Sequence, residues 1–203
     1  MAEQIFIESA AGSSHLISRI SYDDDRSIAQ ALAIYDISLG MNYIPPEDLL
    51  HYLSEPGKYV LLGSYIDTLL TGVMLAYQMD HEELISYDES LKKHGTALRL
   101  SDSKIGMIKS VAVVPSYRHR GIGTRLTIRA MEELLNMSCN AFFATSWVSN
   151  SPDSSQPLFT NLGFDNILTI PDYWTEDSIR EGYDCPICGN PCHCSAIYYF
   201  RRG

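Results

Sequence analysis

The sequence predicts a single α/β (α+β) domain, and three observations lead to this prediction. The chain has 203 residues with 45% hydrophobic content, which is enough to bury a core. Short runs of β-branched and aromatic residues are interspersed with segments of helical period. Their order is strands and two helices, a hairpin, and then strand–helix–strand–helix–strand, which is typical of an α/β domain.

The N-terminal part is predicted to supply two strands and two helices. Strands are expected at residues 5–8 and 15–21, the second because its apolar residues alternate. Residues 27–39 repeat apolar side chains with a helical period after three aspartates that can cap a helix. Pro46 and the two acidic residues after it open a second helix, which is expected to run to about Leu53.

The most hydrophobic stretch, residues 59–77, is predicted to be a β-hairpin and not a membrane helix. Asp67 lies near its centre, and Ser64 and Gly72 interrupt it, whereas a spanning helix stays apolar. Two buried strands that turn at residues 66–68 account for the pattern. The first residues also lack the basic and apolar regions of a signal peptide. We therefore expect a cytoplasmic protein that has no membrane partner.

The C-terminal part is predicted to alternate strands and helices. Residues 79–104 are polar and are predicted to be an insertion that forms a partly helical lobe or a loop. Residues 104–114 carry apolar side chains on both faces, as a central strand does. Further strands are expected at residues 141–148, 165–170 and 196–200, and helices at residues 121–136 and 154–162.

The charge balance limits the partners of the protein. The formal net charge is −10, whereas generic nucleic-acid binding needs basic residues that displace counterions from phosphates. We therefore expect no nucleic-acid partner. Exposed strand ends are compatible with a homodimer.

Residues 111–126, VAVVPSYRHRGIGTRL, join the end of a buried strand to a glycine-rich helix start. Gly121 and Gly123 let the backbone turn tightly and approach a ligand. The free N–H groups of a helix N-terminus, with Arg118 and Arg120 beside them, suit a pyrophosphate. A P-loop would need a Lys-Ser/Thr pair after its last glycine, and a dinucleotide fingerprint would need a third glycine. The segment has neither feature.

This segment resembles the acetyl-CoA signature of the GNAT superfamily of N-acetyltransferases, a strand ending in V-x-P followed by R-x-x-G-x-G and a helix. A second family motif, Asn161-Leu162-Gly163-Phe164, closes a short helix later in the chain. Order and spacing agree over about residues 16–170. The resemblance implies a mixed, splayed central sheet flanked by helices, with CoA in the gap beside the strand at residues 104–114. It also implies an enzyme that transfers the acetyl group of acetyl-CoA, its cosubstrate, to a primary amine.

The resemblance further implies which residues bind acetyl-CoA. Main-chain groups of Val111, Ala112 and Val113 would pair with the pantetheine arm. Arg118 stands at the first position of the R-x-x-G-x-G motif. The pyrophosphate would lie on the amides of the residues that follow, which are His119, Arg120, Gly121, Ile122, Gly123 and Thr124.

The residues of acid catalysis stay unassigned, because the chain departs from the family pattern. Many relatives carry a tyrosine that protonates the departing thiolate, but Phe159 stands at this position and has no proton to give. A family asparagine usually precedes the helix, and Asn150 lies two residues too early for it. Solvent, Ser154, Ser155 or a tyrosine from elsewhere could replace the acid. Phe159 motivates a second hypothesis, a catalytically reduced domain that binds CoA as a sensor or scaffold.

The general base and the acceptor are also left open. The central strand carries Lys109 and Ser110 but no glutamate, while His81, Glu82 or Glu83 could line the acceptor cleft. The acidic run at residues 80–83 and the net charge favour a cationic amine as the acceptor, in a small molecule or a protein.

Four of the five cysteines stand near the C-terminus, as C-x-x-C followed by C-x-C. The spacing predicts a structural zinc site in which Cys185, Cys188, Cys192 and Cys194 are the ligands, with His193 as a reserve ligand. Free thiols or a disulfide are the alternatives, although a stable disulfide is not expected in a cytosolic chain. A zinc-knuckle adaptor for protein or nucleic acid is a third hypothesis, weakened by the acidic balance.

We expect these cysteines to belong to the same domain as the acetyltransferase motifs. Residues 1–180 would form the acetyltransferase domain, with the insertion at about residues 79–104. Residues 181–203 would add the cysteine-rich segment and a final strand.

Overall fold

The computed structural model describes residues 5–8, 14–87, 91, 104–148, 154–182 and 184–203. The strands in this part of the chain are β1 Ile5–Glu8, β2 Ser14–Arg19, β3 Tyr59–Ile66, β4 Leu69–Met79, β5 Ile105–Val113, β6 Ala141–Trp147, β7 Asp165–Ile170 and β8 Ala196–Arg202. The helices are α1 Asp25–Leu39, α2 Pro46–Ser54, α3 His81–Tyr87, α4 Ile122–Asn136, α5 Gln156–Asn161 and α6 Thr175–Glu181.

The strands form one mixed sheet in the order β1-β2-β3-β4-β5-β6-β8-β7. Strands β1 to β5 are an antiparallel meander, and α4 carries the chain across to β6, which pairs with β5 in parallel. The last strand, β8, pairs with β6 on one side and β7 on the other, antiparallel to both. The C-terminal segment is therefore built into the sheet, and the predicted α/β fold with a mixed sheet is confirmed.

The hairpin predicted for residues 59–77 is confirmed. Ile66 pairs with Leu69, so Asp67 and Thr68 form a two-residue turn. Asp67 adopts a φ of 53°, in the left-handed region that such tight turns require and that aspartate tolerates. In the described ranges, none of the helices combines the length and apolarity needed to cross a bilayer.

The two faces of the sheet are covered by different helices. Alternate residues of β4 point to opposite sides, so Met74 contributes to the core under α4, while Val73 contributes to the core under α1 and α2. Helix α4 approaches β4 closely at Gly72, where a Cβ atom would lie 2.9 Å from Ile122 Cγ2. The sheet is thus buried on both sides, which explains the apolar runs of its central strands.

Strands β5 and β6 pair only at their beginnings. Their register runs from Ile105 opposite Ala141 to Ile108 opposite Ala144, and the ladder then ends although both strands continue. On its other edge β5 pairs with β4 through an irregularity that leaves Lys109 as an extra residue between two paired ones. A β-bulge bends its strand and increases the local twist. The far ends of β5 and β6 therefore separate, as the predicted splayed sheet requires.

The remaining predicted elements agree with the structure to within a few residues, and two short elements were not predicted. Residues 115–117 form a single 3₁₀ turn, and α6 follows β7. Of the predicted insertion, α3 is described, while residues 88–90 and 92–103 lie outside the described residues.

Truncation of a buried residue of α4 tests this packing. Leu126 is fully buried between the helix and the sheet, so we expect Leu126→Ala to lower the free energy of unfolding by about 2–5 kcal/mol. Ile128, on the same helix, is 42% exposed, and Ile128→Ala should cost less than about 1 kcal/mol. Urea unfolding of both variants measures the difference, and equal losses would contradict the assigned face of the helix.

Candidate active site

A cavity of about 900 Å³ opens where β5 and β6 separate. Its walls come from the ends of both strands, the start of α4, the start of α5, the end of α1 and the cysteine-rich segment. A cavity of this size is in the range of ligand sites. Residues far apart in the sequence therefore meet at one gap in the sheet.

The start of α4 offers unpaired main-chain donors to this cavity. The first N–H donated within the helix is that of Arg125, to the Gly121 carbonyl at 3.0 Å. The N–H groups of Ile122, Gly123 and Thr124 precede this bond and have no intrahelical acceptor. No side chain caps the helix at Gly121, which has a φ of 73°. The donors are thus available to an anion at the positive end of the helix dipole.

The two glycines of the loop have different roles in the folded chain. Gly121 needs its left-handed backbone, which side chains other than glycine adopt with strain. A Cβ atom at Gly123 would lie 3.7 Å from Val111 Cγ2 and 3.9 Å from Val113 Cγ2, which are ordinary contacts. The fold itself therefore has room for a side chain at Gly123, and a close ligand is a better reason for glycine there.

The arginines of the motif are held by main-chain carbonyls. Arg118 Nε donates to the Val113 carbonyl at 3.0 Å, which fixes the loop to the end of β5. Arg120 donates to the Ser116 carbonyl at 3.1 Å, and its guanidinium lies over a tyrosine ring. The positive charge of the segment is therefore kept close to the helix start.

Two further basic residues reach this region, and neither was predicted from the sequence. Arg125 donates to the Arg120 carbonyl at 3.2 Å, and its buried Nε has no partner among the described residues. The pKa of His15 on β2 is lowered, first by burial and then by the charges of Arg125 and Arg120. Arg125 directly follows Thr124, the last residue whose amide is predicted to hold the pyrophosphate, so extending the motif by one residue would have found it. His15 lies on a distant strand and carries no such signal.

Val111, Ala112 and Val113 lie on β5 beyond its last pair with β6. They pair with β4 on one edge and line the cavity. The carbonyl of Val113 is already occupied by Arg118. The predicted pantetheine contacts therefore fall on a strand edge that is open toward the gap, and their assignment stays a prediction.

Phe159 is buried in the wall of the cavity, where the family pattern has a tyrosine. Its ring stacks on Tyr199 with centroids 5.3 Å apart and meets Phe164 edge to face at 5.4 Å. The position thus provides apolar packing and no proton. Ser154 and Ser155 line the same cavity, and Ser155 Oγ lies 2.7 Å from a serine hydroxyl of β6. Asn150 lies outside the described residues.

The acidic run of the predicted insertion does not contribute to the main cavity. Among the described residues that line this cavity there is no aspartate or glutamate. Glu83 instead lines a smaller cavity of about 320 Å³, and its Oε1 accepts a hydrogen bond from Lys58 Nζ at 2.8 Å. His81 and Glu82 are not among the described residues of either cavity.

The structure brings the four C-terminal cysteines together. The Sγ atoms of Cys185, Cys188, Cys192 and Cys194 all lie within 4.8 Å of one another. Cys185 to Cys194 is 3.9 Å, Cys188 to Cys192 is 3.6 Å, and Cys188 to Cys194 is 3.5 Å. Sulfur atoms that surround a zinc ion tetrahedrally at about 2.3 Å are roughly 3.8 Å apart. The thiol cluster therefore fits a zinc ion.

His193 stands apart from this cluster. Its Nδ1 lies 3.2 Å from Asp172 Oδ1, and its backbone N–H donates to Cys188 Sγ at 3.3 Å. An N–H bond to sulfur supports a thiolate. Burial raises the pKa of the Cys185 thiol to about 11, and a bound cation would oppose this effect because it stabilises the thiolate. The geometry thus favours four sulfur ligands over a set that includes the imidazole.

The cysteine-rich segment is anchored to the cavity wall. The N–H of Cys192 donates to Ser178 Oγ at 2.8 Å, and the Thr175 hydroxyl donates to the Cys192 carbonyl at 2.6 Å. The segment also forms an isolated bridge between Asp184 and Met41, which follows α1. Pro186 and Ile187, between the first two cysteines, line the main cavity. The cluster therefore fixes one side of the candidate active site.

Comparison with known proteins gives a family match. The sequence profile described as the acetyltransferase (GNAT) family matches residues 31–164, which is more than half of the chain. Among curated protein sequences no significant match was found.

Several solved structures share the fold at low sequence identity. One chain of the NatC complex bound to Gag peptide and CoA is 14% identical with a TM-score of 0.67, over 93% of this chain and 98% of that chain. Arabidopsis thaliana NAA60 in complex with acetyl-CoA is 16% identical with a TM-score of 0.67, over the same 93% and 98%. The polyamine N-acetyltransferase of Drosophila melanogaster is 15% identical with a TM-score of 0.65, over 93% and 100%. At these identities the similarity concerns the fold.

Proposed function

The chain belongs to the acetyltransferase (GNAT) family of N-acetyltransferases, and we propose that it transfers the acetyl group of acetyl-CoA to a primary amine. The observation that carries the proposal is the gap between β5 and β6, with the unpaired N–H groups of α4 at its edge. These are the two kinds of main-chain donor that a pantetheine arm and a pyrophosphate require. Two structures of similar fold are complexes with CoA and with acetyl-CoA, which supports the same cosubstrate for this chain.

The transfer proceeds by direct attack. The lone pair of the neutral amine adds to the thioester carbonyl carbon, the C–S bond breaks, and the thiolate leaves with its electron pair. A main-chain N–H of residues 111–113 stabilises the developing oxyanion. Water accepts the proton that the amine loses, and the thiolate, whose conjugate acid has a pKa of about 8.5, needs little assistance. The buried ring of Phe159 then only shapes the thioester site.

The alternative proposal is a CoA-binding sensor or scaffold, and Phe159 is the observation that favours it. An assay of CoA thiol release with a panel of amines distinguishes the two functions. Amine-dependent release of CoA supports the transferase. Tight acetyl-CoA binding with no release above the rate of hydrolysis, for any amine in the panel, would favour the sensor.

We propose that Cys185, Cys188, Cys192 and Cys194 hold a structural zinc ion. The support is the spacing of their sulfur atoms and the fact that four protein ligands leave no open position. The ion would stabilise the segment that joins α6 to β8 and hold its wall of the cavity. Reduced thiols suit the cytoplasm, which is the compartment that we propose. On this proposal the cysteine-rich segment is part of the acetyltransferase domain.

Substitution of Gly123 separates ligand binding from folding. The fold has room for a Cβ atom there, and alanine in a helix is more stable than glycine by up to about 1 kcal/mol. We therefore expect Gly123→Ala to fold at least as stably as the wild type but to bind acetyl-CoA about tenfold or more weakly, because the methyl group obstructs the phosphate. Calorimetric titration measures the affinity. Unchanged affinity would contradict the assignment of the loop.

Metal analysis tests the zinc proposal. We expect about one zinc ion per chain, and Cys192→Ser should remove most of it, because the variant lacks a fully buried ligand. Cys139→Ser is the matched control, since Cys139 is also buried but lies outside the cluster. A chelator should lower the melting temperature of the wild type and of Cys139→Ser, with little effect on Cys192→Ser. A metal-free wild-type protein of undiminished stability would refute the site.

A further inference from the structure

Lys109 lies at the point where the two central strands separate. It is the extra residue of the β5 bulge and directly follows Ile108, the last β5 residue that pairs with β6. Lys109 lines both the main cavity and the smaller one. The residue is therefore next to the place where the acetyl thioester would react with an acceptor.

Lys109 has no counterion among the described residues. Glu83, which lines the smaller cavity, is already engaged through both oxygens, by Lys58 at 2.8 Å and by the N–H of Asp80 at 2.9 Å. The main cavity has no carboxylate among its described residues. An enclosed ammonium without an anion is unfavourable, so a site of this kind favours an anionic ligand.

The surroundings of the ammonium act on its charge in two ways. Burial opposes the charged form, but nearby phenol groups raise the pKa of Lys109 above its ordinary value; they belong to Tyr87, Tyr43, Tyr77 and Tyr52. The phenol groups are themselves uncharged at neutral pH, so none of them is a counterion there, and an anionic ligand would stabilise the ammonium form of Lys109.

The rest of this side of the cavity is mainly apolar. Trp147 and Trp174 meet edge to face with ring centroids 5.7 Å apart, and Ile187 of the cysteine-rich segment lines the same space. Thr145 Oγ1 and Trp147 Nε1 are buried and have no hydrogen-bond partner among the described residues. Buried donors nearly always have partners. The wall thus suits a ligand with an apolar body and oxygen acceptors.

We propose that the acceptor is an amine that also carries a carboxylate and an apolar group, and that Lys109 binds this carboxylate. The proposal deepens the proposed acetyl transfer and rests on it. Attraction to the ammonium would hold the carboxylate beside the bulge and leave the neighbouring amine directed toward the gap. A polyamine would meet the same ammonium as a repulsive charge. The expected acceptor thus differs from the cationic amine that the net charge of the chain favours.

Pairs of amines that differ by one carboxylate test the proposal directly. Suitable pairs are tyrosine with tyramine, phenylalanine with phenethylamine, and leucine with isoamylamine. At a saturating concentration of acetyl-CoA, we expect the kcat/KM of the carboxylated amine to exceed that of its decarboxylated partner by about tenfold or more. A hydrogen bond between charged groups provides a free energy of this order. Equal or higher values for the decarboxylated members would overturn the proposal.

The variant Lys109→Met removes the charge and keeps most of the length of the side chain. It should abolish the preference, mainly by raising the KM of the carboxylated amine, with the KM of acetyl-CoA unchanged. Lys104→Met is the matched control, because Lys104 is exposed and lies just before β5, and it should keep the preference. A preference that survives in Lys109→Met would assign the carboxylate to another residue.

A binding measurement separates this proposal from the proposed transfer. Calorimetric titration of the CoA-loaded protein with N-acetyltyrosine and with N-acetyltyramine needs no turnover. Tighter binding of N-acetyltyrosine by the wild type, and equal binding of the two compounds by Lys109→Met, would support the carboxylate site even if no amine were acetylated. That result without turnover would reject only the transfer. Turnover of the decarboxylated amines without any carboxylate preference would reject only the site.

Discussion

The architecture depends on the separation of β5 and β6 after the pair formed by Ile108 and Ala144. Two parallel strands that stayed paired would bury their main-chain groups in a continuous ladder and leave no space between them. The bulge at Lys109 turns β5 away and leaves part of its edge without a strand partner. The same separation admits the N-terminus of α4 to the gap, so one irregularity in the sheet creates both halves of the proposed cosubstrate site.

The C-terminal segment completes this site from the other side. Strand β8 lies between β6 and β7, so the cysteine-rich segment must run along the end of the sheet near the cavity. The hydrogen bond between the Cys192 N–H and the Ser178 hydroxyl holds it there. A metal ion in the thiol cluster would make this wall rigid without taking part in the chemistry. The segment would then contribute to acceptor binding. This role differs from that of a zinc knuckle that forms a separate binding surface.

Much of the fold could be predicted from the sequence, because its central strands and α4 have strong periodic patterns. The hairpin at residues 59–77 and the amphipathic helix after Gly121 are cases in which local pattern and tertiary packing agree. Helix α6 was missed because it is short, and the 3₁₀ turn after Pro115 is shorter still and carries no period.

The candidate site was predictable where a local motif encodes it. The glycine loop and the cysteine spacing are contiguous in sequence, so their residues could be named in advance. The position of Lys109 depends on the register of two neighbouring strands, and the effect of Arg125 on the pKa of His15 depends on how α4 packs relative to β2. Such long-range features leave no mark in a single sequence. The departure at Phe159 was visible, but its packing against Tyr199 was not.

A crystal structure of the protein with acetyl-CoA would show directly where the cosubstrate binds. We expect the pantetheine arm between β5 and β6, the thioester next to the bulge, and the pyrophosphate within hydrogen-bond distance of the N–H groups of Ile122, Gly123 and Thr124. Acetyl-CoA bound elsewhere, with the gap between the two strands empty, would contradict the proposed site.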